Sequence, residues 1–468
     1  MFMEFIGRKE EINILQNSYK TNNYEGIVIY GRRRIGKSEL IKESYKKLSI
    51  LNLYYECVDA SEETNAKFLS EKIAKTFNIP TPDFKSIREC LIYVFKKSLD
   101  KPLVFVLDEY PYLRKNNSAM DSIIQTIVDE YKNTCQLKFI LCGSYVAVME
   151  EILSSNNPLY GRFSIKINVR QMDYLESSKF YPRMSNEDKV AIYSVFGGVP
   201  YYNQFVNDGI SVEENIINLV ASSNSRLLTE AKDFIALEIN KMANANETFT
   251  AIAAGNKKFS DILNQSHVTS SPTLVDVLKK LEEMDAISKT SPINDESQKK
   301  TIYEISDRLT LFYYRYIFRK ISFFVTMNSK DFFDEFIKED FYSHYVPKEF
   351  EKIGVQYLIK QNKERRITPP LYKVGKYYYD DPVNKTNGEF DVVTLNKHGY
   401  DFYEVKFTKD PIDDSVVNEE IYQLSKINIK YNKLGFISKS GFKLSNPNNY
   451  ILINIDDMFY WCALVKQK

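Results

Sequence analysis

The sequence predicts an α/β protein built in series: a parallel sheet wrapped by helices, a helical segment, a winged helix, and a second, smaller α/β domain. Three observations carry that prediction. The β-branched run Gly26-Ile-Val-Ile-Tyr30 ends at Gly31, with Gly36-Lys37-Ser38 opening a helical stretch behind it. Leu103-Val-Phe-Val-Leu107 delivers Asp108 and Glu109, and a strand apolar on both faces belongs to a parallel sheet covered by helices. Beyond Glu247 the pattern changes to three short helices and two strands, and then to strands near residues 388–406.

Composition bounds the rest. A chain of 468 residues is too long for one core and implies two to four domains. With 63 basic and 62 acidic side chains the formal charge is +1, so no global field announces nucleic acid or an anionic membrane, and any DNA contact must come from a local patch. The five cysteines are scattered, odd in number and without C-x-x-C spacing, as in a reducing compartment, and the three histidines lie too far apart for a zinc site. The opening Met1-Phe-Met-Glu-Phe-Ile-Gly-Arg turns charged at once, and no apolar run approaches a membrane span. A cytoplasmic location without membrane contact is the expectation.

Taken in order, Phe5-Ile-Gly7-Arg8 leads into an amphipathic helix ahead of the first strand. Gly31-Arg32-Arg33-Arg34-Ile35-Gly36-Lys37-Ser38 has the G-x-x-x-x-G-K-[ST] spacing of a Walker A loop. Its chemistry needs these residue types. Glycines let successive N–H groups point at phosphates, Lys37 supplies a point charge to the β/γ oxygens, and the Ser38 hydroxyl suits Mg²⁺. The helix from Glu39 aims its N-terminal dipole at the same anion. Asp108 and Glu109, about 70 residues on, read as a Walker B pair, Asp108 for the metal's water and Glu109 for the attacking water. Ser144, ending the strand from Leu137, is placed to sense the γ-phosphate. Arg162, in a Gly turn, is an arginine finger or a sensor, acting in its own subunit or a neighbour's, or else an ordinary surface arginine.

These residues, with Leu159-Tyr-Gly-Arg162 and Phe196-Gly-Gly-Val-Pro200, resemble the archaeal-type ATPases of the AAA+/STAND superclass of P-loop NTPases. The resemblance implies that Gly7-Arg8 lies near the nucleotide base and that Gly-Gly-Val-Pro belongs to a helical lid. It covers roughly the first half of the chain.

Farther on, three helices and a hairpin make a winged helix-turn-helix. Its third helix, from Ser271, either enters a DNA groove or serves a structural or protein-contacting wing, since Asp276, Glu282 and Glu283 dilute its basic face. In the C-terminal strands, Glu404 and Lys406 share a face that Asp391 can match on its neighbour. An acid facing Glu-x-Lys is an arrangement that binds a divalent metal for phosphodiester cleavage; ordinary exposed charges on a hairpin are the alternative. Glu351 and Gln423 on flanking helices are candidates to complete the site. Ile305-Ser-Asp307, Phe350-Glu351, Glu389-Phe-Asp391 and Glu404-Val-Lys406 resemble in order the domain called DUF234, which is similar to PD-(D/E)xK nucleases.

The expected division is therefore a P-loop ATPase core over 1–180, a lid over 181–245, a winged helix over 246–306, a helical connector over 307–345 and a restriction-endonuclease-like domain over 346–468. The expected function is Mg²⁺-dependent ATP binding and hydrolysis coupled to DNA binding, with metal-dependent nuclease activity of the C-terminal domain and a homo-oligomer or protein partner open. The alternative is a nucleotide-regulated assembly switch with an inert C-terminal domain.

Overall fold

A computed structural model describes residues 4–234, 244–283, 286–295, 300–381, 386–426 and 430–460. Contacts divide the chain into two compact units. The first runs to Gln171 and includes Val199–Tyr201; the second takes Met172–Gly198, Tyr202–Glu282 and the chain from Ala286.

In the first unit, β1 (Glu25–Tyr30), β2 (Leu51–Glu56), β3 (Leu103–Asp108), β4 (Leu137–Gly143) and β5 (Ile165–Asn168) form one sheet in the order β2-β3-β4-β1-β5. All its pairings are parallel. Every residue of β3 and β4 is buried, which explains their unbroken apolar runs. Phe139 stacks on Phe105, meets Phe95 edge-on and lies tilted against Phe163 in the core. Lys138, the charged exception in β4, spends its ammonium on Thr21 Oγ1 at 2.7 Å and on the Asn23 carbonyl. Parallel strands present all their carboxyl ends on one side, and there lie the loop after β1, the acids ending β3 and Ser144 after β4.

The second unit gathers the other elements. Helices Ala245–Ala253, Phe259–Gln265 and Ser271–Glu283 precede the antiparallel pair β6 (Ile287–Thr290) and β7 (Ile302–Ile305). Next come β8 (Lys373–Asp381), β9 (Thr386–Asn396), β10 (Gly399–Lys406), the two-residue β11 (Ile412–Asp413), β12 (Lys433–Ser438), the two-residue β13 (Phe442–Lys443) and β14 (Ile451–Asn454). The larger sheet has the order β14-β12-β10-β9-β8, antiparallel from β8 to β10 and parallel from β10 to β14.

Two features of this unit were not foreseen. The segment expected as a lid packs with the C-terminal half, apart from Val199–Tyr201: the Tyr193 hydroxyl meets Gln356, and the Tyr345 hydroxyl donates to the Ser194 carbonyl at 3.1 Å. The end of that segment, beyond residue 234, lies outside the described residues. Secondly, the loop after β6 docks on β8, the sheet's edge strand. Ile293 N–H donates to the Lys376 carbonyl at 2.7 Å, Asn294 Nδ2 donates to the Tyr378 carbonyl at 2.7 Å, and Asn294 Oδ1 accepts from Tyr378 N–H at 3.1 Å. These bonds satisfy backbone groups that an edge strand otherwise leaves bare. Among the described residues no helix is long and apolar enough to cross a membrane.

Candidate functional site

The loop after β1 is shaped by two glycines. A Cβ on Gly31 would stand 2.4 Å from the Val169 carbonyl oxygen, and Gly36 takes φ +88° to open the Lys37–Lys46 helix. Arg8, itself left-handed at φ 59° and buried, braces the loop by donating to the Ile35 carbonyl at 3.4 Å. Lys37 is buried, and its ammonium reaches the Gly31 and Arg32 carbonyls at 2.9 and 3.1 Å. The neighbouring arginines turn to tyrosines: Arg33 donates to the Tyr145 hydroxyl at 3.2 Å, and the Arg34 guanidinium lies 4.2 Å over the Tyr201 ring. Pro200 lies beside Gly36, in van der Waals reach of the Cβ a larger residue would carry there. The Gly-Gly-Val-Pro motif thus delivers Pro200 and Tyr201 to the phosphate loop.

The acids meet this loop. Ser38 Oγ donates to Asp108 Oδ2 at 2.6 Å, the Tyr54 hydroxyl donates to the same oxygen, and Glu109 N–H donates to Oδ1 at 2.9 Å. Burial pushes the Asp108 carboxyl up, but hydrogen bonds from Cys142, Ser38 and Tyr54 outweigh it and hold the group below its ordinary value. Glu109 sits at φ 49°, a left-handed conformation that costs a non-glycine residue about 1–2 kcal/mol. The strained turn aims its carboxylate at β4, where Ser144 Oγ donates to it at 2.9 Å. Ser144 therefore orients Glu109.

This set suits a magnesium nucleotide. The buried ammonium, the loop N–H groups and a ten-residue helix N-terminus are donors for phosphate oxygens, and the Ser38–Asp108 pair is the hard oxygen set that Mg²⁺ takes.

Arg162 lies at the far end of the sheet from this loop. Its carbonyl abuts Gly26 at the start of β1, whereas the loop follows the strand's end, about 16 Å away at ~3.3 Å per residue. Its guanidinium is bound to Asp129 at 2.6 Å and to the Tyr160 carbonyl at 3.0 Å. Within one chain it does not reach the loop.

In the second unit, the pairing of Tyr403 with Val392 carries Glu404 alongside Asp391 one step further. Lysines fill the space between the acids. Lys376 binds Asp391 and Glu389, Lys348 bridges Asp391 and Glu351 at 3.1 Å each, and Lys406 pairs with Glu404. Asp391, Glu404 and Glu351 thus lie around one end of the β9–β10 hairpin with lysines between them, and among the described residues no group of three His, Cys, Asp or Glu is gathered as a metal site. Gln423 instead donates to the Tyr379 hydroxyl at 3.2 Å. Glu420, one turn earlier on the Asp414–Lys426 helix, takes its place beside Glu404. That residue was missed because its face of the helix is defined only by packing on β10.

Two of these carboxyls keep their protons. Burial first, then the Asp391 charge, pushes Glu351 up to about 8; burial, then Glu404, does the same for Glu420. Each holds a proton in the fold that the unfolded chain releases near pH 4.5, so stability falls as pH rises from there to about 8. Glu351→Gln is expected to flatten that slope and raise stability at pH 8 by on the order of 2 kcal/mol. Urea denaturation at pH 5 and 8 measures it, and an unchanged slope would show that Glu351 is ionised in the fold.

Comparison with known proteins decides the family. Residues 5–204 match the model of an ATPase domain found predominantly in Archaea. Over 429 residues the chain is 30% identical to the uncharacterized protein MJECL04 of Methanocaldococcus jannaschii, covering 90% of this chain and 92% of that one. The chain belongs to the archaeal-type ATPase family. Residues 313–423 of this ATPase match archaeal and bacterial proteins of unknown function, the DUF234 family. A 39-residue stretch, 8% of this chain and 66% of the relative, is 46% identical to the uncharacterized ATP-binding protein MJ0423 of the same organism. Among solved structures, the Walker-type ATPase PABY2304 of Pyrococcus abyssi is similar in fold, with a TM-score of 0.50 at 18% identity over 66% of this chain and 96% of that one.

Proposed function

We propose that this ATPase couples Mg²⁺-dependent ATP hydrolysis to DNA held by its winged helix. The observation that carries the hydrolytic half is the convergence of Lys37, Ser38, Asp108, Glu109 and Ser144 at the carboxyl ends of β1, β3 and β4. Lys37 offsets charge on the β/γ oxygens, and Glu109, aimed by Ser144, polarises the attacking water. Ser38 and Asp108 would hold Mg²⁺, which when bound would neutralise phosphate charge. Arg32, Arg33, Arg34, Ile35 and Glu39 line the loop and helix start around the nucleotide, with Gly7 and Arg8 behind. The DNA half is supported by the three helices and antiparallel hairpin, whose third helix exposes Lys279 and Lys280 among Asp276, Glu282 and Glu283.

A second reading is favoured by the lysine-filled acids of the C-terminal sheet: the nuclease-like domain is inert, and nucleotide controls assembly with another copy or a protein partner. ATP turnover with and without duplex DNA separates the two. Coupling to DNA predicts turnover that rises several-fold with DNA and loses that response steeply as salt increases from about 50 to 200 mM. Asp391→Ala is expected to spare turnover while removing any Mn²⁺- or Mg²⁺-dependent cutting. Turnover indifferent to DNA at low salt, with a nucleotide-dependent change of mass, would select the second reading.

A further inference from the structure

We propose that Tyr54 is a positioning residue for the metal arm of the nucleotide site, fixing Asp108 in the orientation that a divalent cation beside Ser38 requires. Tyr54 lies on β2, in register with Val106 of β3, two residues before Asp108. Its hydroxyl and the Ser38 hydroxyl donate to one oxygen, Asp108 Oδ2, while Oδ1 is taken by Glu109 N–H. Four elements thus clamp one carboxylate: the loop helix, β2, β4 through Cys142, and the strand's own turn.

The chemistry makes that clamp consequential. A serine hydroxyl that gives a lone pair to a cation must place its proton elsewhere, and Asp108 Oδ2 is the acceptor in reach. A carboxylate free to rotate about its Cβ–Cγ bond would have to be ordered each time the metal arrives. Tyr54 removes that freedom in advance, as an outer-shell partner does for a metal ligand. Lys42, whose ammonium stands 5.3 Å over the Tyr54 ring, anchors the ring from the same helix that carries Ser38. Sequence alone gives no sign of this role, since Tyr54 is one tyrosine among 34.

The proposal rests on the reading of Ser38 and Asp108 as the metal arm, and the test separates the two. Mn²⁺ binding to the full chain with ADP is followed by the electron paramagnetic resonance signal of free Mn²⁺, for wild type, Tyr54→Phe and Ser38→Ala. ADP affinity in EDTA is measured alongside with a fluorescent analogue. The expected result is Mn²⁺ affinity about tenfold weaker in Tyr54→Phe, with metal-free ADP affinity within about twofold of wild type. Unchanged Mn²⁺ affinity in Tyr54→Phe, with Ser38→Ala weakened, overturns the role of Tyr54 alone. Mn²⁺ binding unaffected in both variants overturns the metal arm itself. A parallel loss of metal-free ADP binding in Tyr54→Phe also overturns the proposal, because Tyr54 would then be holding the loop.

Discussion

Lys37→Ala is expected to lower ATP turnover by at least about 10³-fold, equivalent to roughly 4 kcal/mol of transition-state stabilisation. The size follows from the surroundings of the ammonium. Lys37 is buried in the concavity of the loop, where its charge is weakly screened, and its two carbonyl partners belong to the loop itself. Two neighbouring cations are engaged elsewhere: Arg33 is turned to Tyr145 and Arg34 to Tyr201. The fold should survive, because the loop's shape is set by Gly31, Gly36 and the Arg8 brace. Phosphate release by the purified variant, with circular dichroism as the control for folding, is the measurement. Turnover within tenfold of wild type would remove this loop from the hydrolytic site.

The second large effect concerns stability. Arg308 Nε lies 2.6 Å from Glu349 Oε2, with side chains only 13% and 3% exposed, although that nitrogen makes no aligned hydrogen bond. Lys352 joins Glu349 at 2.7 Å and Glu304 at 3.3 Å, and Lys257 completes the chain to Glu304. Burial pushes the Glu349 carboxyl up, yet the Arg308 and Lys352 charges win and hold it below its ordinary value. Arg308→Ala leaves a buried carboxylate short of its main partner and is expected to cost about 3–5 kcal/mol. Replacing both members, Arg308→Met with Glu349→Leu, should recover part of the loss, since an apolar pair avoids the desolvation penalty while Lys352 keeps Glu304 as its partner. Urea unfolding of the two variants checks both statements. A single variant as stable as wild type would show that water reaches the pair.

The N-terminal half was legible because its signals are local. Gly31, Gly36, Lys37 and Ser38 must stand at fixed spacing to curl a backbone around phosphate, and β3 and β4 are apolar on both faces because helices cover them. The hairpin of β9 and β10 was likewise marked by its own residues. What escaped was set by partners distant in sequence. The edge strand β8, Lys-Val-Gly-Lys-Tyr-Tyr-Tyr-Asp-Asp, alternates poorly and is a strand because β9 and the loop at Ile293 pair with it. Glu420 and Tyr54 acquire meaning only through Glu404 and Asp108. The place of Arg162 was hidden for the same reason, because a Gly-Arg turn says nothing about which end of a parallel sheet it occupies.

The docking of the Ile293–Asn294 loop on Lys376 and Tyr378 has an evolutionary consequence. Two stretches about 80 residues apart in sequence are bound in length and register, because an insertion in either would strand backbone N–H and C=O groups along the sheet's rim. The β6–β7 hairpin with its three preceding helices and the C-terminal sheet should therefore pass through the family as one cassette. A chimaera that exchanges either part alone should accumulate as aggregate, whereas one that exchanges both together should remain soluble.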